Sequence, residues 1–242
     1  MTADLSVAGF VVIAVAVVLA AALQASIGFG MGMLAAPVVA LVDPGLIPGT
    51  LIILAVVVTL MVVLTERQHI DLGGTGWALA GRLPGTIAGA LLVAAMPERW
   101  LALMLGAVVL LGVVLTSAGW RPAPHRPNLV MAGATSGLLG TATSIGGPPM
   151  ALVWQGKQGP GYRGTISGFF LVGSAFSVLA LAVTGSIDHA ILVAVVLLIP
   201  APVVGFGLSL LINRHLSPVR LRLIAIVVSC FGALLLMGQQ VL

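Results

Sequence analysis

A short glycine-containing phrase occurs twice in this largely apolar chain. It reads SIGFG at residues 26–30 and SIGGP at residues 144–148, an offset of 118 residues. Each copy would interrupt a helix and leave backbone N–H groups without intrahelical partners. Matched helix breaks in the two halves of a membrane protein are typical of a transport site at the interface of inverted repeats.

The candidate binding residues lie in and beside these two breaks. Hydroxyl groups there could cap the helices that follow, and glycines let a ligand approach the backbone. Helix amino ends carry partial positive charge and suit a small oxyanion. The alternative is that the glycines serve only close helix packing. The predicted site comprises Gln24, Ser26, Gly28, Gly30, Thr141, Thr143, Ser144, Gly146 and Gly147. For the flanking Gln24 and Thr141, a bond to a freed carbonyl is an equal alternative.

Arg82 is the basic residue that lies well inside an apolar segment. An intramembrane charge is costly and is a functional hypothesis by default. Arg82 could bind the anion or pair with Asp71 or Glu66, and we include it in the predicted site. The alternative is a side chain that snorkels to the membrane interface.

Composition indicates a polytopic helical membrane protein. Of the 242 residues, 60% are hydrophobic and 7% are charged, whereas soluble domains carry about 25% charged residues. No cluster of His, Cys, Asp and Glu has metal-ligand spacing, and no nucleotide-binding loop is present. We therefore expect no metal, no cofactor and no enzymatic activity. The formal charge of +4 lies in short loops and predicts no nucleic-acid partner.

The apolar segments divide the chain into two repeats. Residues 1–119 form the first repeat, 120–128 a polar cytoplasmic linker, and 129–242 the second repeat. Five segments in each half predict that the second repeat is inverted relative to the first. Segments 129–141 and 145–154 would reach about 20 and 15 Å, less than the roughly 30 Å hydrocarbon layer. Each repeat is therefore predicted to be a re-entrant or broken hairpin plus three transmembrane helices.

The distribution of basic residues predicts the orientation. If the amino terminus lies outside the cytoplasm, the outer loops hold only Arg99 among basic residues. The inner loops then hold Arg67, Arg121, Arg126, Lys157, Arg163, Arg214, Arg220 and Arg222. This arrangement obeys the positive-inside rule and places both termini outside. The amino terminus lacks a basic region, so we expect the first apolar segment to be retained rather than cleaved.

The two breaks resemble those of the TauE/SafE family of membrane transporters, known as sulfite exporters. The resemblance is carried by QASIGFGMGMLAAP at 24–37 and GLLGTATSIGGPP at 137–149, and the segment layout agrees over nearly the whole chain. It implies transport of sulfur oxyanions, organosulfonates or small carboxylates across a bacterial inner membrane. The second copy departs from the family pattern, because Pro148 and Pro149 stand where further glycine is common.

The leading hypothesis is a multi-pass secondary transporter for a small anion that works by alternating access. No ATP-binding motif is present, so an ion gradient, such as protons, or downhill flux would supply the energy. The expected partners are the anion and the lipid bilayer, and a homodimer is left open. The alternatives are a passive anion channel and a non-transport membrane assembly factor.

The topology is testable by cysteine labelling of a variant that lacks Cys230. We expect cysteines at Arg67 and Arg163 to react only with reagents that reach the cytoplasm. Cysteines at Asp43 and Asp188 should react in intact cells with an impermeant reagent. Labelling of both groups from one side would contradict the predicted orientation.

Overall fold

The computed structural model describes residues 6–67, 70–117, 122–154, 160–215 and 218–241. Within these residues the secondary structure is helical, as predicted, with one short 3₁₀ turn at Pro44–Leu46. The α-helices are α1 Val7–Ile27, α2 Met31–Val42, α3 Gly49–Glu66, α4 Leu72–Ala95, α5 Glu98–Ser117, α6 Arg126–Thr143, α7 Gly147–Val153, α8 Pro160–Val183, α9 His189–Leu198, α10 Pro200–His215 and α11 Pro218–Val241.

The described residues contain five helical stretches that are long and apolar enough to cross a membrane. They lie in α1, α3, α4, α8 and the nearly continuous pair α9 and α10. Shorter apolar stretches lie in α2, α5 and α11. The prediction of a helical protein that crosses the membrane several times is therefore confirmed.

The segments around the second break differ in length from the prediction. Helix α6 has 18 residues and extends about 27 Å, five residues more than the predicted segment, and it is not among the candidate membrane-spanning helices. It begins at Arg126, inside the predicted linker, because Pro127 occupies its first turn, where a missing N–H costs nothing. Helix α7 has only 7 residues. Two predicted inner-loop residues lie outside the described part of the chain: Arg121, in residues 118–121, and Lys157, in residues 155–159.

Glycines bring α4 and α6 into backbone contact. A Cβ on Gly81 would lie 1.9 Å from the carbonyl oxygen of Val130, and one on Gly133 would lie 1.9 Å from that of Ala78. These glycines therefore serve close packing, as small residues do in membrane proteins. In the same way, Gly205 of α10 packs on the backbone of α1 at Val18.

Two substitutions in α4 test this packing. Gly81→Ala should destabilise the folded protein by about 1–3 kcal/mol, because the added methyl group forces α4 away from α6. Gly76→Ala is the matched control, since nothing lies within 4 Å of its added Cβ; it should be neutral or stabilising by up to about 1 kcal/mol. Thermal unfolding in one detergent measures both, and equal midpoints would contradict the packing.

Candidate functional site

The first break separates α1 from α2. Gly28 has φ 87° and Gly30 has φ 112°, a left-handed conformation that glycine adopts without steric cost. The side-chain oxygen of Gln24 accepts the N–H of Met31 at 3.0 Å. Gln24 thus satisfies a freed N–H rather than the freed carbonyl that we predicted as one alternative. The Ser26 hydroxyl donates to the Ala22 carbonyl at 2.8 Å within its own helix, so its predicted capping role was wrong.

The second break separates α6 from α7, with Ser144 in the left-handed conformation at φ 65°. Its hydroxyl donates to the carbonyl of Pro48 at 3.1 Å, so Ser144 ties the break to the start of α3 and does not cap α7. The Thr143 hydroxyl donates to the Leu139 carbonyl at 2.7 Å and accepts the Ile145 N–H at 3.3 Å. Prolines occupy the first turn of α7, as predicted.

The two breaks lie against each other in the interior, as the sequence predicted. A Cβ on Gly32 would lie 1.9 Å from the carbonyl oxygen of Ser144. A Cβ on Gly147 would lie 2.7 Å from a ring carbon of Phe29. Three of these residues are buried, namely Phe29, Gly32 and Gly147, and Ser144 is partly buried. The contact therefore depends on glycine at positions 32 and 147.

Arg82 extends from α4 to this meeting point. It is 2% exposed, so it does not snorkel to the interface. One terminal nitrogen, Nη1, donates to Ser136 Oγ at 3.0 Å, and the guanidinium carbon lies 4.8 Å from the centre of the Phe169 ring and 5.3 Å from that of Phe170. The Nε atom is buried without a hydrogen-bond partner.

Neither carboxylate that we predicted as a partner of Arg82 pairs with it. Glu66 forms an ion pair with Arg163, and Asp71 caps α4 by accepting the N–H of Gly74. Among the described residues, no carboxylate pairs with Arg82. The guanidinium is therefore a buried positive charge that lacks an ionic partner within the described chain.

Two small residues hold the guanidinium in place. A Cβ on Gly173 of α8 would lie 1.9 Å from Arg82 Nε, so the missing side chain provides the slot. Ser136 donates its proton to the Gly146 carbonyl at 2.6 Å and accepts from Arg82, because a hydroxyl has one proton and free lone pairs. This chain of hydrogen bonds joins the charge to the second break.

A cavity of about 30 Å³ lies where the breaks and Arg82 meet, enough for roughly one or two water molecules. Six predicted site residues line it: Gln24, Gly30, Arg82, Ser144, Gly146 and Gly147. The other four predicted site residues do not line it: Ser26, Gly28, Thr141 and Thr143. Gly28 lies against Ile166, and Thr141 shares a hydrogen bond of 2.8 Å with Ser177.

Sequence reasoning missed most of the apolar wall of this cavity and the residues that hold Arg82. The apolar wall includes Phe29, Met31, Met33, Leu51, Ile52 and Phe170. The first three belong to the first break phrase and its continuation, so their position was a usable signal. Ser136 is 54 residues from Arg82, and neither it nor Phe170 lies in a motif that would have indicated the contact.

A larger cavity of about 380 Å³ opens at the end of the molecule that carries Asp188. It lies between the 3₁₀ turn, the ends of α4 and α8 and the start of α5, and is lined among others by Pro44, Met96 and Thr184. It reaches Ala142, two residues before Ser144 of the second break.

Comparison with known proteins identifies the class. The model of the family described as "Sulfite exporter TauE/SafE" matches residues 13–236. The chain therefore belongs to the TauE/SafE family of membrane transporters, as its resemblance at the breaks had indicated. A curated relative from Cupriavidus necator, named as a probable sulfite/organosulfonate exporter TauE, is 29% identical over 238 residues, which cover 90% of this chain and 88% of the relative. No solved structure matches the chain.

The cap at the first break can be tested by Gln24→Met. The substitution leaves the buried N–H of Met31 unsatisfied and should lower the free energy of unfolding by about 1–3 kcal/mol. Gln239→Met is the control, because Gln239 is exposed on α11. Equal thermal midpoints of the two variants would contradict the assigned cap.

Proposed function

We propose that this protein is a secondary transporter that moves a small anion across the bacterial inner membrane. The observation that carries the proposal is Arg82, a buried guanidinium with an unsatisfied Nε and no carboxylate partner in the described chain. A bare charge in such surroundings is costly, and an anion in the adjacent cavity, widened as the repeats move, would neutralise it. The name of the Cupriavidus relative supports a sulfur oxyanion or organosulfonate as substrate, and a small carboxylate has the same charge chemistry.

The proposal includes two inverted repeats, in which α1 to α5 correspond to α6 to α11. The helix contacts support this correspondence because they occur in matched pairs. Helix α4 packs along α6, and α10 packs along α1; likewise α5 contacts α7, and α11 contacts α2. Two further contacts, α3 with α8 and α5 with α11, each join an element to its own counterpart. A pseudo-two-fold axis through the two breaks would generate this pattern.

Alternating access is the proposed mechanism. The cavity of about 380 Å³ gives access from the Asp188 end as far as Ala142. At the opposite end α3 and α8 are joined by the Glu66–Arg163 ion pair, and the hydroxyl of Thr165 accepts the N–H of Asp71 at 2.9 Å. Rocking of one repeat against the other would separate these contacts and open that end while the Asp188 end closes.

The charges at the two ends support the predicted orientation. One end of the molecule carries the end of α3 and the starts of α6 and α8, with Arg67, Arg126 and Arg163. The other end carries Asp43 and Asp188. The positive-inside rule supports a cytoplasmic position for the arginine end, with the large cavity facing outward. A passive anion channel is less well supported, because the cavity at the centre has a volume of only about 30 Å³.

Proton coupling would have to involve the substrate itself. Every buried polar side chain in the described residues other than Arg82 is Ser, Thr or Gln. None of these accepts a proton near neutral pH. A proton that passed through the centre with the anion would therefore travel on the anion, and downhill export of the anion would need no proton at all.

Arg82→Met tests the proposal because function and stability should change in opposite directions. Loss of the charge should lower substrate flux in proteoliposomes about tenfold or more, as expected when a charge-assisted hydrogen bond of about 1.5–3 kcal/mol is lost. The ligand-free variant should be as stable as the wild type or more stable, because the buried unpaired charge is gone. Arg99→Met is the control, since Arg99 is exposed, and it should change neither quantity. Undiminished flux in Arg82→Met would contradict the proposal.

A further inference from the structure

Among the described residues, the centre of the molecule contains a single full charge. Arg82 is the only charged residue among the buried residues described. The cavity beside it is lined by neutral residues apart from Arg82 itself. The number of full charges available to a ligand there is therefore one.

The helix ends at the breaks contribute oriented partial charges to the site but little net charge. At the first break the carboxyl end of α1, at Ile27, lies beside the amino end of α2, at Met31. The two ends carry partial charges of roughly −0.5 and +0.5, which cancel when they are this close. The same pairing holds for α6 and α7, which end at Thr143 and begin at Gly147. The guanidinium thus sets the net charge of the site.

The hydroxyl groups near Arg82 supply no full charge to balance a second negative charge. Ser174, which also lines the cavity, is neutral and can donate one hydrogen bond. Ser136 has committed its proton to the Gly146 carbonyl, and Ser144 has committed its proton to the Pro48 carbonyl. A hydroxyl has only one proton to donate. A second negative charge on the ligand would therefore be buried without a counter-charge, which is strongly unfavourable in a low-dielectric site.

The rest of the cavity wall is apolar and lacks a counter-charge for a cation. Met31, Met33 and Phe170 face the space beside Arg82, and no carboxylate is among the lining residues. A methyl or other small apolar substituent on the ligand would contact this wall favourably, because apolar surface prefers apolar surroundings. An ammonium group on the ligand would be desolvated there without compensation.

Resting on the proposed function, we infer that the site selects its substrate by charge: it binds singly charged oxyanions with a small apolar substituent. Dianions and zwitterions bind at least tenfold more weakly. Sulfite enters in its singly protonated form, and a simple alkanesulfonate binds better than one that carries an amino group.

The test compares two probes that share a methyl group and a tetrahedral head. Methanesulfonate keeps one negative charge across the neutral pH range, whereas methylphosphonate changes from one charge to two near neutral pH. Dissociation constants of both are measured with the purified full-length chain by calorimetry or ligand-induced thermal shift on both sides of that ionisation. Arg82→Met is measured in parallel to assign the binding to this cavity, and it should bind neither probe.

We expect methanesulfonate to bind with the same affinity throughout, while methylphosphonate weakens tenfold or more as it acquires its second charge. Equal or tighter binding of the methylphosphonate dianion would overturn the charge selection and leave the anion site itself standing. If neither probe binds the wild type at any pH, or if both still bind Arg82→Met, the proposed anion site fails and the charge selection with it.

Discussion

A guanidinium that has no counter-charge among the described residues, buried between two broken helices, is the constraint on which the rest of this structure depends. Inside a bilayer no water is available to solvate it, so the protein must hold and partly satisfy it. The aromatic rings of Phe169 and Phe170 supply part of that stabilisation, and the Ser136 hydroxyl supplies one hydrogen bond. The Nε–H has no acceptor among the described residues. An oxyanion that reaches the cavity would complete the arrangement.

Close helix packing is what keeps the charge in place. Arg82 lies on α4 between Gly81 and Gly85, whose missing side chains let α4 contact the backbone of α6. On the other side Gly173 of α8 leaves the slot for the side chain. The same use of glycine brings the two breaks together at Gly32. Packing and ligand binding, which the sequence presented as alternatives, are therefore roles of different glycines in one assembly.

The sequence was sufficient to predict the helical class, the two breaks and their contact, because glycine and proline interrupt apolar runs in a recognisable way. It predicted the wrong role for the Ser26 hydroxyl, because a serine inside a helix can donate to the carbonyl four residues earlier, as Ser26 does with Ala22. It left Arg82 undecided between burial and snorkelling, since that depends on whether α6 and α8 cover α4. The Ser136 contact joins residues 54 apart and has no local signal in the sequence.

The central claim is that the anion binds directly to Arg82 between the two breaks. An experimental structure with 2-bromoethanesulfonate, whose bromine can be located by anomalous scattering, tests it most directly. The account predicts a sulfonate oxygen about 2.9 Å from a guanidinium nitrogen of Arg82, with the bromine against the apolar wall near Phe170. A sulfonate held only in the large cavity near Asp188, with Arg82 unchanged and out of contact, would contradict it.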